Sequence, residues 1–143
     1  MIWHFAFDGV ILAVLWFSAW TDIQNRVVYE PLILAGILFA LVMNASWWGL
    51  ITTILVFVAS YLVVRTGKLG LGDAEIFALI TAAFGGVTVI VVGILAALFA
   101  LSYALLRMIF HHTRRTSFAM VPFLALGTTT SFLIALGLTW LRW

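Results

Sequence analysis

Residues 74–110 read AEIFALITAAFGGVTVIVVGILAALFALSYALLRMIF, an apolar run whose charged residues are Glu75 near its start and Arg107 near its end. At ~1.5 Å per residue a single helix over this stretch would be roughly 55 Å long, against a bilayer core of about 30 Å. Gly85-Gly86 is the natural break, since glycine is a poor helix former and two in a row mark a turn. The stretch therefore predicts two helices, a short one over Gly72–Phe84 and a longer one reaching Phe110. The same length argument divides residues 32–64 at Asn44-Ala45-Ser46, where Trp47 and Trp48 add an interfacial aromatic pair. Upstream, Trp3–Thr21 forms a first helix, the polar Asp22-Ile23-Gln24-Asn25-Arg26 follows, and Pro31 opens the second. Downstream, polar residues 111–117 lead into a last helix over Met120–Leu141. The expected fold is all-α: a polytopic membrane protein, six transmembrane helices in one domain over residues 1–143.

Composition points the same way. Hydrophobic residues make up 66% of the chain and charged residues 8%, where soluble domains carry about 25% charged. Mean hydropathy is +1.25 over the whole length, which leaves no sizeable polar domain. A soluble core of this composition would lack polar groups to cover its surface, whereas a lipid-facing surface should be apolar. The net charge of +2 is small and the basic residues are scattered, which excludes the clustered basic face of a nucleic-acid binder. There is no cysteine, hence no disulfide, thiolate nucleophile or Cys-ligated zinc. The N-terminus lacks the basic n-region and small-residue cleavage site of a signal peptide.

Charge placement predicts the orientation. Arg26, Arg65, Lys68, Arg114 and Arg115 fall in three alternate connections, with Arg107 one turn inside. The connections at Asn44–Ser46 and Gly85–Gly86 hold no basic residue. Lys and Arg are retained on the cytoplasmic side, so the three polar loops should face the cytosol and both termini the outside.

Five acids are present: Asp8, Asp22, Glu30, Asp73 and Glu75. An acid inside a bilayer costs about 2.5–3.5 kcal/mol at a helix centre on insertion scales, so such residues usually have a task. In the six-helix topology Asp22, ending helix one, and Asp73, beginning helix four, lie at the same membrane boundary. Two carboxyls that converge in a partly dry site share one proton: one activates water while the other protonates a scissile carbonyl. The plainer reading is that each merely finishes a helix, Asp73 as an N-cap and Asp22 paired to Arg26 at i+4. Gly70-Leu71-Gly72-Asp73 favours the chemical reading. Glycine permits positive φ and close approach of another backbone, as a cleaved substrate requires.

These residues resemble a known family. Asp22 within Trp20-Thr21-Asp22-Ile23-Gln24-Asn25-Arg26, followed by Gly70-Leu71-Gly72-Asp73, is similar to the prepilin and preflagellin peptidases, membrane aspartic peptidases with a G-x-G-D signature. Met120-Val121-Pro122-Phe123 resembles the Pro-Phe opening of the family's last helix. The resemblance implies removal of a short basic leader from membrane-anchored, pilin-like precursors at the cytoplasmic membrane face. By matching position Asp22 and Asp73 would be catalytic, Gly70 and Gly72 would form the active-site loop, and no metal or other cofactor is implied. Arg26, Glu75 and Pro122 would support the site or the substrate. The chain departs from the family pattern at Val28-Tyr29, where many members have Ile-Pro, and at Glu75, where many bacterial members carry lysine. It also lacks the cysteine-bearing insert of members that methylate their product.

Two other readings use the same acids. Presenilin-like and signal-peptide-peptidase-like enzymes share G-x-G-D, but their first aspartate lies deep in a helix beside a tyrosine, and here Thr21 precedes Asp22. A small proton-coupled transporter or assembly subunit could use Asp22 and Asp73 as proton carriers. That role needs a polar path near the midplane, and the helices offer little beyond Thr, Ser and Gly. Glu75 reads as a first-turn acid favoured by the helix dipole, or as a contact for a basic leader. Glu30 and Asp8 read as interfacial, and His111-His112 point to different helix faces, unlike a metal pair.

Overall fold

The computed structural model describes residues 2–67, 69–111 and 120–140. Among the described residues six helices and no strand occur: α1 (Ile2–Asn25), α2 (Glu30–Asn44), α3 (Trp47–Arg65), α4 (Leu71–Phe84), α5 (Gly86–His111) and α6 (Val121–Trp140). The fold is an all-α membrane bundle. Both breaks inside the long apolar runs fall where chain length demands them. Ala45 turns left-handed at φ 36° and donates its N–H to Leu41 O, closing α2; the Ser46 side chain then accepts from Gly49 N–H and opens α3. Gly85 takes φ 88°, a conformation that suits glycine, and its N–H closes α4 on Thr81 O.

Helix α1 runs further than its polar end implies, to Asn25 rather than Thr21. Polar side chains do not stop a helix at a membrane edge, where they remain solvated. The helix ends instead at Arg26, which adopts φ 53° and returns its N–H to Asp22 O at 3.0 Å.

Among the described residues four segments are long and apolar enough to cross a membrane: Ala6–Asn25, Trp47–Arg65, Gly86–Phe110 and Val121–Leu138. Helices α2, with 15 residues, and α4, with 14, fall short of the ~20 a lone span requires. The short α4 is accounted for by its surroundings. It touches all five other helices, and almost every side chain from Ala74 to Ala83 is buried. A helix that is apolar all round belongs in a core, and α4 is this bundle's core. The outer surface carries the remaining apolar bulk, with Trp47 and Val87 each 80% exposed, as a lipid-facing surface should.

Specific contacts fix how the helices run. Helices α2 and α4 are parallel: Val28 lies against Gly72 at one end and Gly36 faces Leu79 midway. At the other end the Asn44 amide donates to Ala82 O at 2.7 Å and Ala83 O at 3.1 Å, satisfying carbonyls that the end of α4 leaves open. Helices α1 and α6 are antiparallel, joined by Trp16 Nε1 donating to Thr129 Oγ1 at 3.1 Å. Helices α5 and α6 approach closely at Gly127, whose absent Cβ would lie 2.9 Å from Val92 O. One end of the bundle thus gathers the last turns of α1 and α3 with the first turns of α2, α4 and α6.

Candidate active site

Asp22 and Asp73 both stand at that end. Phe7, Ile11, Leu15, Ser18 and Asp22 form the buried stripe of α1, spaced by three and four residues as one helix face requires. Asp22 is therefore the last member of an inward-facing row, 9% exposed. Asp73 lies in the first turn of α4, half-buried. It is near enough for the charge of Asp22 to act on it. The convergence follows from topology: α1 ends and α4 begins at the same end of the bundle, and the two helices pack together.

Each carboxyl has further partners. Gly70 N–H donates to Asp73 Oδ2 at 3.2 Å. Gly70 is the N-cap of α4 and Asp73 its third residue, so this is the returning half of a capping box; glycine has no side chain to supply the other half. The Val121 backbone N–H lies near enough to act on the Asp22 carboxyl, as does the charge of Arg26. Val121 begins α6, where the first N–H groups have no intrahelical acceptor and the dipole favours an anion. Pro122, with no N–H of its own, is accommodated in that first turn. The end of α6 thus reaches Asp22 through the backbone.

Of the two uses of glycine expected at this motif, positive φ is not adopted. Neither Gly70 nor Gly72 is among the positive-φ glycines, which are Gly67 and Gly85. A Cβ on Gly70 would stand 3.2 Å from Asp73 Oδ2, and one on Gly72 would stand 2.6 Å from Val28 Cγ2. Their missing side chains leave room for the Asp73 carboxyl and for Val28.

Glu75, read as a dipole-favoured acid, is a buried one, only 7% exposed. Its Oε2 has no hydrogen-bond partner among the described residues. The nearby Glu30 is exposed, and its charge acts on Glu75. Asp8 stands at the far end of α1, away from these acids. Lys68, His112, Arg114, Arg115 and Arg142 lie outside the described residues, as does the side chain of His111. Among the described residues no three His, Cys, Asp or Glu side chains gather as a metal site. Two participants carried no sequence signal of this kind: Val28, whose contact with Gly72 is long-range, and the Val121 N–H, a backbone group that any residue would supply.

The fold defines a helical membrane protein with a buried Asp22 and a half-buried Asp73 at one end of its bundle. The family model for the type IV leader peptidase family matches residues 9–105, more than half of the chain. The chain belongs to that family. Its general activity is that of a type IV leader peptidase, a hydrolase. The match includes Asp22, Arg26, Glu30, Gly70, Gly72, Asp73 and Glu75 and ends before α6. No curated protein and no solved structure matches the chain.

Proposed function

We propose that this chain is an aspartic endopeptidase of the cytoplasmic membrane. It removes a short basic leader from membrane-anchored, pilin-like precursors, with Asp22 and Asp73 as its catalytic pair. The observation that carries this reading is the convergence of the two acids, on different helices and 51 positions apart (73 less 22), in a chain of this family. Sharing one proton, one carboxyl takes a proton from water as the water attacks the scissile carbonyl. The other gives its proton to the carbonyl oxygen. The carboxyl that took the water proton then passes it to the leaving amine nitrogen as the other recovers a proton from the gem-diol, and the C–N bond breaks to release leader and mature protein. The Val121 N–H and Arg26 hold Asp22, and the Gly70 N–H holds Asp73, in fixed orientations. The basic loops support a cytoplasmic site, with both termini outside.

The test is cleavage by the full chain, in membrane vesicles, of a precursor with a short basic leader before a hydrophobic helix. The expected product is a single faster-migrating species with a new N-terminus at the leader boundary, formed equally well in EDTA. An unshifted precursor, or activity lost on chelation and restored by zinc, contradicts the reading.

A further inference from the structure

The two-aspartate chemistry leaves Glu75 unused. Its place is well defined: Gly72, Glu75, Leu79 and Ala82 fall on one stripe of α4, the stripe that meets α2. One turn toward the loop, Gly72 rests on Val28; one turn deeper, Leu79 rests on Gly36. Between these contacts sits a carboxyl that is 7% exposed and whose Oε2 no described group answers. Exposed Glu30, the first residue of α2, stands at the solvent side of the same boundary, close enough for its charge to act on Glu75.

A buried carboxyl without a partner is unfavourable, and a second acid at its mouth makes it more so. A neutral group would answer one oxygen and leave the repulsion in place. A cation with N–H donors answers both. Among the described residues, Arg26 acts on Asp22, and Glu30 is the charge that acts on Glu75. Glu75 follows Asp73 by two residues, about 3 Å along the helix axis and roughly 200° around it, so an extended peptide that crosses Asp73 must round the start of α4 to reach Glu75, a path of about four residues at ~3.4 Å each.

We propose that Glu75, with Glu30 at its mouth, forms a cation subsite. It receives a lysine or arginine side chain of the substrate, a few residues from the bond that the Asp22–Asp73 pair cleaves. The subsite rests on the peptidase reading above and assigns the recognition step to two named side chains.

The experiment compares two precursors, identical except that the leader's basic residues are replaced by glutamine in one, on the full chain in nanodiscs. For the wild type, kcat/KM falls on the order of ten- to a hundredfold on going to the glutamine leader, as loss of a charge-assisted hydrogen bond implies, and the fall is carried by KM. E75Q cleaves both leaders alike, at the wild type's rate for the glutamine leader. E30Q narrows the preference less, because Glu30 is exposed. The preference is a ratio taken on one preparation, so a lower folded yield leaves it unchanged; Glu75→Leu, suited to apolar surroundings, is read in parallel. An E75Q enzyme that keeps the wild-type ratio overturns the subsite and leaves the peptidase standing. Equal losses on both leaders mean that Glu75 serves a partner within the chain, such as Lys68, and also overturn it. A wild type that cleaves neither precursor removes the peptidase reading and the subsite together.

Discussion

Val28 and Gly72 are in contact where α2 and α4 begin: a Cβ on Gly72 would lie 2.6 Å from Val28 Cγ2 and 2.9 Å from its Cβ. Through this contact the segment after α1 bears on the helix that carries Asp73. Gly72→Ala forces Val28 or α4 to move, which should cost about 1–3 kcal/mol as overpacking does. Val28→Ala in the same chain removes the obstructing methyls and should restore most of the thermal stability. A double variant no more stable than G72A would mean that the glycine matters for something other than this contact.

At the opposite end, Asn44 holds the last turn of α4 through Ala82 O and Ala83 O. Asn44→Leu keeps the branching and heavy-atom count of the side chain and leaves both carbonyls without that donor. The loss should be about 1–3 kcal/mol in detergent unfolding. Activity per folded molecule should hold, because the site lies at the other end of the bundle. A selective fall in turnover would show that the far end of α4 positions Asp73.

Gly127 governs the distance between α5 and α6. An added Cβ would meet Val92 O at 2.9 Å and Ala96 N at 3.2 Å, backbone atoms that cannot rotate away. Gly127→Ala should push α6 outward and carry the Val121 N–H off Asp22, lowering kcat more than it raises KM. Wild-type kcat would separate α6 from the chemistry.

Much of the fold was legible because a bilayer fixes helix length. Residues 32–64 and 74–110 are each too long for one span, and polar or glycine residues stand well inside both. The end of α1 was misjudged because polar side chains at the membrane edge do not interrupt a helix; Arg26 at φ 53° does, and arginine carries no such signal. The acids could be named from their positions at helix ends. The burial of Glu75 could not, because it arises from five helices closing around α4, a long-range fact. The same holds for the glycines: their sequence indicated that a Cβ was unwelcome, and only packing showed that Val28 and the Asp73 carboxyl occupy the space it would take.

Orientation rests on the basic connections and is tested in the cysteine-free chain. Single cysteines at Gln24 and Thr66, both exposed, should react with an impermeant thiol reagent from the cytosolic side alone. A cysteine at Ser46, between α2 and α3, should react from outside alone. Labelling of Gln24 and Thr66 from opposite faces would contradict the arrangement of helix ends that brings Asp22 to Asp73.

The most direct measurement is the cleavage rate of Asp22→Asn, Asp73→Asn and the double variant on one basic-leader precursor, beside the folded yield of each. Asparagine keeps the side-chain size and removes proton exchange. Each single change should therefore lower the rate by roughly a thousandfold or more, and the double change should add almost nothing, as residues acting as one unit do. Folded yield should be unchanged or slightly higher, because a neutral amide relieves the repulsion between two neighbouring acids. Wild-type cleavage by either single variant, or rate losses that multiply in the double variant, would contradict a shared-proton pair at Asp22 and Asp73.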